Sequence, residues 1–149
     1  MKRTSLSITS IFLIMLLAGF YPGKYANLAQ DVLIQTNQFR KAEGLAALTM
    51  RTRLNTIAQQ HSEDMASGRS SFGHAGFDKR NAMAAKAIRP LHSFAENVAY
   101  GPTTGKSVVA LWKSSPGHRR NMLGHFKYIG IGIARDRNGS IYYTEVFAD

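Results

Sequence analysis

Apolar positions along this chain recur first at helical and then at strand spacing. Between Met50 and Ala66, the residues Leu54, Ile57, Ala58, His61 and Met65 fall three or four apart, one face of a helix that Gly68 closes. An earlier helix is expected from Asp31, as its cap, through Lys41, ending near Gly44. Phe77 to Ile88 forms an Ala-rich third helix before Arg89-Pro90. Ser107 to Lys113 forms a fourth, with Val108, Leu111 and Trp112 turned inward. Ser115-Pro116 then supplies an N-cap and a proline at the first helical position, with Gly124 as the stop.

Strand signals take over late in the chain. Phe94 to Tyr100 reads as a short strand broken by Gly101-Pro102. Ile129, Ile131 and Ile133 alternate with Gly130, Gly132 and Ala134, a strand with one closely packed face. Asn138-Gly139 predicts a type I′ hairpin, and Ser140 to Phe147 returns rich in β-branched and aromatic residues. The class is therefore α+β, helices packed on a small antiparallel sheet.

The 149 residues suit one domain, and 44% hydrophobic content supplies its core. There is no cysteine, which excludes disulfides and a lipid anchor on that residue; packing alone must stabilise the fold. Lys2 and Arg3 precede an apolar run from Ile8 to Phe20. That run is shorter than the roughly 20 residues of a membrane span and matches a signal peptide, with an uncleaved anchor as the competing reading. Residues 1–30 are thus assigned to signal and linker and 31–149 to the domain, with export to the cell envelope or beyond.

Of 19 cations, three (Lys2, Arg3, Lys24) lie in that leader, leaving 16 against nine acids, a net +7. This charge suits a basic soluble surface or adhesion to an anionic envelope. The cations are scattered and carry no nucleic-acid-binding motif, so no nucleic-acid partner is expected.

Chemistry centres on histidine. His61 sits on the apolar face of its helix, where a packed, hydrogen-bonded ring is expected; His92 and His125 belong to surface loops. His74 lies in a glycine-bracketed turn, and glycines allow close approach to a site. His118 falls in the first turn after Pro116, and Glu96 on the short strand. Two imidazoles and a carboxylate match the protein ligands of an open zinc site, and equally a general acid/base set. Steps of 22 residues leave their geometry unfixed, so both readings stay open. A serine hydrolase is excluded by the absence of a G-x-S-x-G elbow.

The segments HSEDMASG, FGHAGF, AENVAYG, ALWKSSPGHRRNML, YIGIGIA and IYYTEVFA occur in this order between Val32 and Phe147. Together they resemble the cysteine-free bacterial branch of the CAP superfamily (cysteine-rich secretory, antigen 5 and pathogenesis-related 1 proteins). The resemblance implies a three-layer α-β-α sandwich. It also implies a cleft lined by His74, Glu96 and His118, with His74 and His118 holding Zn²⁺ or another divalent metal in some members. Asn97, Ser115, Arg119 and Asn121 would support it, the last two holding His118, and Trp112 would lie in the core. Animal and plant relatives carry a second acid where this chain has Ser115. Ala95 replaces the usual glycine before the glutamate, and Glu145 replaces a glutamine of the last strand. Glu145 would be a substitute carboxylate if it faces the cleft, and otherwise a solvent-facing strand residue. The implied function is a monomeric exported binding module for a lipid, envelope or protein ligand, touching membrane only through an uncleaved leader. The alternative is a metal-assisted hydrolase with Glu96 and Glu145 as its carboxylates, and a third reading gives the cleft a structural role alone.

Overall fold

The alternation of isoleucine and glycine near the C-terminus becomes the centre of the molecule. In the computed structural model, which describes residues 25–149, strand β3 (Tyr128–Arg135) pairs antiparallel with β4 (Ile141–Ala148). Ile129, Ile131 and Ile133 are buried on one face of β3. On the other face lies helix α2 (Thr52–Ala66), so close that a Cβ on Gly130 or Gly132 would collide with the backbone of Leu54 or Ala58. The Ser62 hydroxyl spans this seam, donating to the Gly132 carbonyl at 2.9 Å.

The remaining elements arrange themselves around this hairpin. In chain order they are α1 (Ala26–Ala42), β1 (Thr49–Met50), α3 (Phe77–Ala87), β2 (Phe94–Tyr100), α4 (Gly105–Ser114) and α5 (Pro116–Met122). The sheet runs β1-β3-β4-β2, with β1 parallel to β3 and the other pairs antiparallel. One layer, α2 and α3, covers the face where Leu54, Ile57, Ala58 and Ala84 meet Val146 and Ala148. The second layer, α1, α4 and α5, covers the face where Val32, Phe39, Val108, Trp112 and Met122 meet the isoleucines and Phe147. Trp112 is wholly buried and its indole N–H donates to the Val98 carbonyl at 3.1 Å.

Beyond the two residues of β1, the outer edge of β3 has no strand neighbour among the described residues. Side-chain amides of α2 take its place: Asn55 Oδ1 accepts from the Ile131 N–H at 3.0 Å. Gln59 accepts from the Ile133 N–H and donates to its carbonyl, both at 2.9 Å. The match is geometric, because four helical residues rise about 6 Å and two strand residues about 6.7 Å.

Several local expectations change. Helix α1 begins at Ala26, and Asp31 lies within it. Its carboxylate accepts from the Gly105 N–H at 2.8 Å, so it serves the start of α4 rather than its own helix. Strand β1 takes Met50 from the expected second helix and makes the sheet mixed rather than purely antiparallel. Leu111 is 47% exposed; Val109 takes the inward position beside Val108 and Trp112. The hairpin is not type I′, since Asn138 has no positive φ. Instead the Gly139 N–H donates to the Asp136 carbonyl, Gly139 adopts φ +91°, and the Asp136 carboxylate accepts from the N–H groups of Asn138 and Ser140. The leader assigned to residues 1–30 lies almost wholly outside the described residues. Among these, no helix is long and apolar enough to cross a membrane.

Gly132→Ala is expected to lower unfolding free energy by about 3 kcal/mol or more, because helix backbone rather than a flexible side chain would have to yield. Urea unfolding measures this; a loss below about 1 kcal/mol, the low end of overpacking, would mean that α2 is not seated as described.

Candidate functional site

Strand β2 lies at the sheet edge, and its alternation divides neighbouring residues between the two layers. Glu96 pairs with Val146 and faces α2 and α3; Asn97 pairs with Glu145 and faces α1, α4 and α5. The Glu96 side chain is fully buried, which requires a compensating charge. Arg80, on α3, supplies it with a two-pronged contact: Nη2 lies 2.7 Å from Oε1, and Nε donates to Oε2. The same guanidinium donates to the Ala75 carbonyl at 2.7 Å, tying the glycine-bracketed loop to the pair.

That loop presents His74. Its Nδ1 is 2.9 Å from Glu96 Oε1, and the side chain is half exposed. A carboxylate held by a guanidinium can only accept, so His74 donates this bond from Nδ1. His61 is buried as expected, with Nε2 2.8 Å from the Gly73 carbonyl and 3.9 Å from Glu96. It therefore holds the loop beside His74, and burial lowers its pKa.

His118 comes to the same region on α5. Asn97 donates to the His118 carbonyl at 3.2 Å, and Asn121 donates to the Glu96 carbonyl and to Asn97 Oδ1. These amides pin α5 to β2. Burial lowers the His118 pKa, the charge of His74 lowers it further, and its Nδ1 is buried without a hydrogen-bond partner. Arg119 points elsewhere, meeting Glu43 at 2.9 Å and lying over the Phe39 ring of α1. Ser115 occupies the N-cap position of α5, but its hydroxyl caps nothing; its carbonyl accepts from the Arg119 N–H. Beside the His74 loop, the exposed rings of Phe72 and Tyr100 meet edge to face at 5.0 Å.

Glu145 does not join this group. Strand parity puts it on the far face of the sheet, wholly buried rather than facing the cleft or solvent. Thr36 donates to Oε1 at 2.8 Å, while Oε2 has no partner. Burial pushes its pKa up to about 8, against the lowering effects of the Thr36 hydroxyl and the Asn97 side chain. At neutral pH it is a neutral acid, the near-isostere of glutamine.

As a zinc site the expected trio does not fit. Both Glu96 oxygens accept from Arg80, whose positive charge opposes a cation at that carboxylate. Among the described residues no three His, Cys, Asp or Glu side chains form a metal-holding group. Glu96 is instead a positioning residue for the imidazole of His74. The concavities of about 550 and 1020 Å³ on this molecule lie elsewhere and include none of the three residues. Arg80 carried no sequence signal of its own; only the need of a strand-borne glutamate for a counter-charge pointed to such a partner.

Arg80→Met is expected to cost about 3–5 kcal/mol, the usual consequence of leaving one member of a buried pair alone. Urea denaturation should show much of this recovered in Arg80→Met/Glu96→Leu; equal losses in both variants would refute the pairing. Glu145 gives a pH signature. Its folded pKa lies above the unfolded value of 4.5, so between 4.5 and about 8 the folded state keeps a proton that the unfolded chain releases. This stability, full below pH 4.5, falls as pH rises through about 8. Relative to Glu145→Gln, the wild type should lose about 1.4 kcal/mol per pH unit across that window, and a constant gap would contradict it.

Comparison with known proteins agrees with this fold. The profile of CAP, the cysteine-rich secretory protein family, matches residues 33–147. Protein YkwD of Bacillus subtilis is 30% identical over 129 residues, 81% of this chain and 47% of its own length. The chain thus spans about half of that relative. Two solved structures share the fold. An extracellular protein containing a SCP domain from Bacillus anthracis has TM-score 0.68 and 24% identity, covering 82% of this chain and 40% of that one. An outer surface protein from Borrelia burgdorferi has TM-score 0.70 and 17% identity, covering 84% of this chain and 94% of that one. With a family match across its folded length, bacterial relatives and no cysteine, the chain belongs to the CAP family, in its cysteine-free bacterial branch.

Proposed function

We propose that this CAP domain is an exported binding module acting at the cell envelope, recognising a polar group through His74 and His118. The observation that carries this reading is the grip of Arg80 on Glu96. It engages both oxygens of the acid beside the histidines, while Glu96 holds the half-exposed His74 ring through Nδ1. An imidazole nitrogen of this kind accepts hydrogen bonds, binds a cation or takes a proton. The binding reading is favoured because, among the described residues, no second carboxylate stands free beside it to share in proton transfer. Glu145, the other acid considered for catalysis, lies across the sheet. The extracellular SCP protein of similar fold supports the location.

A divalent ion is compatible with this reading only through two imidazole nitrogens, with Glu96 behind them and solvent or ligand completing the sphere. Such an ion would supply a Lewis-acid contact for a ligand oxygen. Calorimetric titration of the purified chain with Zn²⁺ is the direct test. Saturable binding should vanish in His74→Ala/His118→Ala and weaken about 10- to 100-fold in Glu96→Gln, the usual effect of losing a carboxylate behind a ligating histidine. Absence of Zn²⁺ binding would leave metal-free recognition by the same histidines. Turnover of a peptide or ester substrate that disappears in His118→Ala would overturn the binding-module reading.

A further inference from the structure

At the end of the α2–α3 layer away from the His74 loop, a cavity of about 550 Å³ opens between the start of α2, the end of α3 and the first residues of β3. Four of the chain's cations line it: Arg51, Arg53, Arg89 and Lys127. Its single acid, Asp149, is taken by Lys127, with Nζ 2.8 Å from Oδ1. Arg51 lies over the ring of Tyr128, 4.2 Å from guanidinium to centroid. No carboxylate among the described residues forms an ion pair with Arg51, Arg53 or Arg89. By contrast Arg69, Arg80 and Arg119 each have one.

Three exposed arginines lining one cavity without an ion-paired carboxylate hold a positive potential there, and an anion entering it is attracted to all three. Planar guanidinium forks suit the oxygens of a phosphate, which accept paired N–H bonds. Helix α2 begins in the same wall with no side-chain cap, so its first N–H groups add to the positive potential. The other walls are Ile88, Pro90 and Tyr128, apolar surfaces for the carbon skeleton attached to the phosphate. The volume exceeds that of a bare phosphate ion.

We infer that this cavity is an anion site for a phosphodiester or phosphomonoester group borne on a small polyol. It is independent of the His74 site, and neither reading depends on the other. The group has two natural forms, a soluble polyol phosphate and a phospholipid headgroup, and one experiment separates them. The purified chain would be titrated with sn-glycerol 3-phosphate and inorganic phosphate by calorimetry. In parallel it would be sedimented with vesicles of phosphatidylglycerol and phosphatidylcholine against phosphatidylcholine alone. Arg53→Ala/Arg89→Ala should weaken whichever form binds by about tenfold or more, the loss of charge-assisted hydrogen bonds. A charge-matched variant, Lys106→Ala/Arg137→Ala, removes two exposed cations elsewhere and should change binding by no more than about twofold. Glycerol phosphate binding identifies a soluble ligand, and binding only to phosphatidylglycerol vesicles identifies a headgroup. Equal losses in the two variants would show that net charge acts rather than the cavity. No binding of any of these probes would likewise overturn the proposal.

Discussion

With hydrogen in place of side chains at Gly130 and Gly132, the backbone of α2 can lie directly against β3, and this closeness governs much else in the molecule. It brings Ser62 within reach of a sheet carbonyl and lets Asn55 and Gln59 reach the strand edge. It also sets the height at which the loop between α2 and α3 passes the sheet. From that height His74 and Arg80 reach down to Glu96, while His61 holds the loop by a backbone carbonyl. The site is therefore built on a packing constraint some distance from its chemistry, in a chain with no disulfide to enforce it.

The two buried glutamates show how environment decides chemistry. Glu96 and Glu145 lie on paired strands, on opposite faces of one thin sheet. The first receives a guanidinium and an imidazole; the second has no cation beside it, only the Thr36 hydroxyl and the neighbouring Asn97 amide, and its pKa rises. Removing a charge from water requires either a partner or neutralisation, and this domain uses one solution on each side. Neither glutamate is left as a lone, solvated carboxylate.

Much of the fold was legible in the residues: helix spacing marked α2 and α3, and the Ile/Gly alternation marked β3 and its close neighbour. Histidine placement could be followed by resemblance. What stayed hidden depended on register and on distant pairing. Whether Glu145 shares a face with Glu96 turns on a single residue of strand offset, which no local pattern fixes. Asp31 looked like a cap and is one, but for a helix 74 residues away. The two residues of β1 were too few for periodicity to register. Arg80 resembled any surface cation of an amphipathic helix until the sheet placed a carboxylate beneath it.

The short β1 has a consequence for how these molecules meet one another. A sheet whose outer strand runs past its neighbour normally exposes a row of backbone donors and acceptors on which another chain can add a strand. Here the amides of Asn55 and Gln59 already occupy that row along β3, anchored in a helix that cannot peel away without leaving its glycine seat. An incoming strand would have to displace three hydrogen bonds to pair along this stretch. The helix thus acts as a guard against intermolecular sheet growth, protecting the chain when it is crowded among copies of itself.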